Sequence, residues 1–178
     1  MQTAKSPFAF TLVELLLSIA IVGCLVGLLM PTLTTVRRKA DSTACVAHLR
    51  QIGISAQLYA GEHDQTMPVI EPWPSQPVYS SEDGAQNLLD ALKAYGVTDA
   101  VLHCRSDVAG PNYYAKEGSS YQWCPMANGQ NVNAVKMVWA GNVASVTLSH
   151  LLMAFDYSNV HGTTSNVLFG DCHVATGN

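Results

Sequence analysis

The stretch Phe10-Thr11-Leu12-Val13-Glu14-Leu15-Leu16 opens an apolar run that continues to Met30 and stops at Pro31. Phe10 to Met30 is 21 residues. Rising ~1.5 Å per residue as a helix, that length crosses a bilayer hydrocarbon core of roughly 30 Å. Glu14 is the one charged side chain in it. A carboxylate in that medium costs at least ~2.5 kcal/mol unless it finds a partner, so Glu14 reads as a functional residue. The plainer alternative is a signal anchor with an acid near its end.

Ala9 followed by Phe10-Thr11-Leu12, then Glu14-Leu15 and a long apolar helix, resembles the type IV pilin superfamily, which includes the type II secretion pseudopilins. The resemblance implies that a membrane prepilin peptidase cuts between Ala9 and Phe10 and methylates the new amine of Phe10. It implies that Glu14, the fifth residue from Phe10, neutralises the amine of a neighbouring subunit when helices pack into a filament. Two costly buried charges then become one paired set. Pro31 falls at the family's helix-bending position, where a missing N–H and a ring clash kink or locally melt the helix. Ala9 departs from the family, whose residue before the cut is usually Gly.

The chain is accordingly expected to divide into a leader peptide (1–9), a transmembrane and assembly helix (10–30), an amphipathic continuation of that helix (31–60) and a globular head (61–178). About 148 residues follow the apolar run, enough for one domain with a sizeable core. A conventional cleaved secretory signal is not expected, because no small-x-small site follows the apolar run. Orientation is contested. Arg37, Arg38 and Lys39 outnumber Lys5, and a positive-inside count puts the C-terminal part in the cytoplasm. The resemblance implies a periplasmic head on a bacterial inner-membrane anchor. It carries more weight, because the leader must face the peptidase on the cytoplasmic side.

Beyond Pro31, Cys45, Leu49, Ile52, Ala56 and Tyr59 recur at steps of three and four, one apolar stripe expected to pack on a sheet. Gly61 reads as the helix stop. Pro68, Pro72, Pro74 and Pro77 around Trp73 predict an extended connector. Residues 86–95 predict a short helix ended by Gly96, and 101–104 a brief strand or extended segment. Tyr113, Tyr114, Tyr121 and Trp123 read as core and loop packing. Leu148 to Tyr157 and Asn166 to Val174 predict two strands of a hairpin-like unit.

His161 and Asp171, with nine residues between them, resemble the H-x9-D-G segment of prepilin-like proteins, with Cys172 where that family has Gly. A turn requiring positive φ is cheap there only for Gly. Strand alternation puts Asp171 and His173 on one face. With His161, and Asp156 as a further donor, they form a tentative transition-metal site; a calcium site and a plain His–Asp hydrogen bond are the alternatives. No nucleophile with a base and an orienting group can be placed, so an enzyme is not expected.

Cys24 lies in the apolar run and reads as a packing residue. Cys45, Cys104, Cys124 and Cys172 allow three disulfide connectivities, which spacing does not distinguish. Cys45 with Cys104 and Cys124 with Cys172 is preferred, Cys45 being on the sheet side of its helix. No Cys-x-x-Cys pair argues for zinc, and no cofactor is expected beyond a structural ion at the C-terminal residues.

Residues 32–59 carry a net charge of +3 and 60–178 a net −7. So acidic a head is ill suited to nonspecific nucleic-acid capture. The expectation is an α+β, pilin-like chain: a long N-terminal helix on a small antiparallel sheet. Its partners would be prepilin peptidase, the inner membrane, other pilin or pseudopilin subunits and the secretion or pilus machinery. The competing expectation is a signal-anchored periplasmic enzyme or metal-binding protein built around His161, Asp171 and His173.

Overall fold

Thr11 and Glu14 start the first helix. In a computed structural model, which describes residues 11–79, 84–108, 112–139, 142–157, 160–161 and 164–177, the Glu14 carboxylate accepts from the Thr11 amide (2.9 Å) and hydroxyl (2.7 Å). The Glu14 amide donates to the Thr11 hydroxyl at 3.3 Å. This reciprocal Thr-x-x-Glu arrangement satisfies amides that a helix start leaves bare. Helix α1 then runs Leu12–Glu62.

The helix continues through Pro31, so of the kink or local melting expected there, the melting does not occur. The chain divides into two units, Met1–Lys39 and Ala40–Asn178. In the first, the large apolar residues between Leu12 and Val36 are exposed.

In the second unit the expected stripe is the buried face of α1. Cys45, Leu49, Ile52, Ala56 and Ala60 are 1% exposed or less. Tyr59 is partly buried against the same core. Gly53 shows how close the packing is. A β-carbon added there would lie 3.0 Å from Leu168 Cδ1 and 3.2 Å from Cys172 Sγ.

Gly61 is not the stop. It lies inside α1, and the chain turns where Asp64 and Gln65 adopt φ of 51° and 59°. The Gln65 amide closes that turn on the Ala60 carbonyl at 2.8 Å. A polar pair that can enter the left-handed region ends the helix in place of glycine.

The proline-rich connector forms neither helix nor named strand, as its composition predicts, and turns where the Gln76 amide donates to the Trp73 carbonyl at 2.8 Å. Asn128 binds it as a strand would, accepting from the Ile70 amide and donating to the Ile70 carbonyl, each at 3.0 Å. Three short helices follow: α2 (Leu88–Leu92), α3 (Asp99–Leu102) and α4 (Tyr113–Glu117). The Asn87 side chain caps α2, a single 3₁₀ turn extends it to Tyr95, and Gly96 ends it at φ 95°. The segment 101–104 was expected to be extended. Val101 and Leu102 instead close a helical turn by donating to the Thr98 carbonyl at 2.9 and 3.3 Å. Periodicity does not separate strand from helix in so short an apolar run.

Strands β1 (Tyr121–Trp123), β4 (Leu152–Asp156), β5 (Ser165–Phe169) and β6 (Val174–Gly177) form one sheet in the order β1-β4-β5-β6. Every pairing is antiparallel. Strands β2 (Lys136–Trp139) and β3 (Asn142–Ser145) pair separately. The architecture is therefore α+β, a long N-terminal helix and a small antiparallel sheet.

One predicted strand divides. Asn166 to Val174 is not continuous, because β5 ends at Phe169 and the Cys172 amide turns back to the Phe169 carbonyl at 2.9 Å. Cys172 takes φ 66°, so this chain keeps a left-handed turn at a β-carbon-bearing residue, at a cost of roughly 1–2 kcal/mol.

Candidate functional site

Ala9 and Phe10, the expected processing residues, lie outside the described residues. Glu14 lies in the first turn of α1, on a helix long and apolar enough to cross a membrane. Its carboxylate caps its own helix through Thr11. The Thr-x-x-Glu spacing that gives this cap was present in the sequence and went unread beside the charge.

The tentative set of His161, Asp171 and His173 is not assembled. His161 precedes β5, while Asp171 and His173 follow it. At ~3.3 Å per residue, the strand alone separates its two ends by about 13 Å. The alternation argument failed because 170–172 is a turn. Asp171 instead accepts from the His173 amide at 3.2 Å and faces the His173 ring at 2.5 Å. That ring stacks on Phe169, with centroids 4.4 Å apart. This pair is surface-exposed, and the ring and amide of His173 hold the Asp171 carboxyl low against what desolvation removes.

His161 belongs to a different centre. Its Nε2 lies 3.5 Å from Cys104 Sγ and 3.5 Å from Asp156 Oδ2. Cys104 is disulfide-bonded to Cys45, with Cα atoms 6.0 Å apart. Cys124 and Cys172, the other preferred pair, are free thiols. One lies beyond β1, the other in the β5–β6 turn under Gly53. Burial pushes both thiols up from their ordinary range, which makes them poor nucleophiles at neutral pH.

Three elements meet at this centre. Cys45 comes from the buried stripe of α1, Cys104 from the segment after α3, and His161 from the β4–β5 connection. Cys104 is held by its amide, which donates to Ser120 Oγ at 2.9 Å. Ser120 in turn donates to Asp107 at 2.8 Å. Asp107 also receives the Tyr113 and Tyr114 amides at 3.0 and 2.7 Å, so one buried carboxylate ties the start of α4 to the cysteine.

Asp156, at the end of β4, is 1% exposed. Its Oδ2 accepts from the Asn166 amide and side chain at 3.1 and 2.7 Å. Its Oδ1 is buried with no hydrogen-bond partner among the described residues. Burial raises the carboxyl above its ordinary value, against the pull of the Asn166 donors and of His161. Asp156 was expected beside His161 as a further donor, and the two are together here; Asp171 and His173, expected with them, are not, and Ser120 and Asp107 carried no sign in the sequence. The informative spacing was Asp156 to His161, a strand end and the loop that leaves it.

A cavity of about 200 Å³ opens elsewhere in the head, lined by residues that include Trp123, Tyr121, Tyr157, Pro72 and Glu117. Trp123 Nε1 and the Tyr157 hydroxyl are already bonded, to Asn128 Oδ1 and to the Pro72 carbonyl. Of the expected aromatic cluster, Tyr121 and Trp123 are each 1% exposed and lie in the core. In comparisons with known proteins, no family model, no curated protein and no solved structure matches this chain.

Proposed function

We propose that this chain is a pilin-like structural subunit. Prepilin peptidase cuts it between Ala9 and Phe10 and methylates Phe10. The apolar half of α1 anchors it in the bacterial inner membrane with the head in the periplasm. It then assembles with other pilin or pseudopilin subunits, through that helix, into a type II secretion pseudopilus or a type IV pilus.

The observation that carries this reading is Glu14, placed in the first turn of an exposed apolar helix. An acid there is costly in lipid and is neutralised when an amine from a second subunit is packed beside it. The packing of the second half of α1 on a small antiparallel sheet supports the same reading, since a pilin-like head is built in that way.

The test is intact mass and N-terminal sequencing of the membrane-extracted chain, with and without a co-expressed prepilin peptidase. The expected result is a mature N-terminus at N-methylated Phe10, abolished by Ala9→Leu. A Met1 terminus retained beside an active peptidase overturns the filament reading and leaves a membrane-anchored protein.

A further inference from the structure

The disulfide centre of the head holds a ligand set for a metal ion. Cys45 Sγ, Cys104 Sγ and His161 Nε2 lie within 4.8 Å of one another. Both cysteines are 1% exposed and the His161 side chain 5%. The imidazole is not arranged as a proton relay, which would use one ring nitrogen toward the carboxylate and the other toward the sulfur. Here a single nitrogen, Nε2, faces both Cys104 Sγ and Asp156 Oδ2, each at 3.5 Å. The ring nitrogen thus faces the sulfur directly, and the carboxylate lies beside it on the same nitrogen. Asp156 Oδ1 adds an independent sign. It is buried and unpartnered among the described residues, a costly state that a cation bound at this carboxylate would relieve.

We propose that, once the Cys45–Cys104 bond is reduced, Cys45, Cys104 and His161 bind one divalent ion of the zinc class, with the Asp156 carboxylate as the adjacent fourth donor. Two thiolates and an imidazole select a soft, tetrahedral ion over calcium or magnesium. Zn–S of ~2.3 Å and Zn–N of ~2.0–2.1 Å require donor separations of roughly 3.3–3.8 Å. Breaking the disulfide lets the two sulfurs part to that spacing, and His161 Nε2 already lies at 3.5 Å from Cys104 Sγ.

The chemistry balances in two steps. A dithiol reductant delivers two electrons and two protons, breaks the Sγ–Sγ bond and leaves as its own disulfide. The ion then displaces one proton from each thiol to solvent and forms two metal–sulfur bonds. The same residues therefore cross-link α1 to the head in either redox state, by sulfur when oxidised and by metal when reduced. Sequence spacing could not show this, because the ligands come from three distant segments and include no Cys-x-x-Cys pair.

The proposal is independent of the filament reading and is tested with the full chain in detergent. The chain is reduced with a phosphine under anaerobic conditions and titrated with Co²⁺, then Zn²⁺. The expected result is one Co²⁺ per chain with thiolate-to-cobalt charge-transfer absorption and the intense visible bands of a tetrahedral site. Zn²⁺ should displace it one for one, and the oxidised chain should show neither band. His161→Gln should weaken uptake by more than ~10-fold; because it keeps both cysteines, its disulfide in the oxidised form verifies folding. Absence of these bands in the reduced chain overturns the proposal. So does their persistence in the Cys45→Ser/Cys104→Ser variant, which would place binding on Cys124 or Cys172, or unchanged affinity in His161→Gln.

Discussion

Glu117 is a charge kept inside the head by a small number of donors. It is 6% exposed, and its carboxylate accepts from the Ser75 amide at 2.9 Å and the Ser75 hydroxyl at 2.5 Å. Lys116 Nζ lies 3.4 Å away. Burial pushes the carboxyl up, but the Ser75 bonds and Lys116 outweigh it, and the net shift is downward. A carboxyl whose folded pKa is depressed contributes stability that is present above its ordinary range and is lost as pH falls through the folded value. Glu117→Gln should therefore cost about 1–2 kcal/mol at neutral pH, where charge-assisted bonds become neutral ones. The gap between variant and wild type should close on acidification below about pH 4. Thermal melts of the full chain in detergent across pH 3–7 check this; a gap that stays constant across the series would show that the charge contributes nothing. The sequence offered no sign of this role, or of Asp107 as a buried hub. Their partners, Ser75 and Ser120, are brought in by loop paths that have no periodicity to read. Glu14 was legible because the apolar run around it makes one charge conspicuous.

Elements were readable where a period repeats and unreadable where tertiary contacts decide. The stripe from Cys45 to Ala56 spans several turns of one face, and α1 buries it. The Asn87 cap and Gly96 bracket the second helix by local chemistry alone. By contrast α3, a single turn, and the turn that divides β5 from β6 are too short for a pattern to establish. The pairing of β1 with β4 depends on contacts between distant segments, whereas β2 and β3 are neighbours in sequence and pair locally without a period long enough to announce them. The expectation of Asp171 and His173 on one strand face has the same origin, since it assumed a continuous strand through 166–174. The contact between α1 and β5 rests on Gly53, which leaves room for Leu168 and Cys172. Leu168 is fully buried and has little space to yield. Gly53→Leu should gain about 1 kcal/mol of helix propensity and lose more through overpacking, for a net destabilisation of about 1–3 kcal/mol. The melting temperature of the full chain measures it. A variant as stable as wild type would mean that helix and sheet are free to separate at this contact.

At the scale of the whole molecule, the charge on Glu14 and its cap must be told apart. As a subunit alone, the chain gives Glu14 a sufficient structural reason, because its carboxylate satisfies the Thr11 amide and hydroxyl at the start of α1. Glutamine serves the same position of a capping box as well as glutamate does. Glu14→Gln therefore keeps the cap and removes only the charge. If Glu14 is retained for its own helix, the variant should behave as wild type throughout. If its charge neutralises the amine of an adjacent subunit, the variant should be inserted and processed normally, keep its helical content, and fail to enter filaments, because the neighbour's amine is then buried without a counter-charge. The expected outcome is the second. It is measured by cleavage at Phe10, circular dichroism of the extracted chain, and recovery in sheared or sedimented filaments. Normal incorporation of Glu14→Gln would reduce Glu14 to a helix cap and remove the charge-pairing step from assembly.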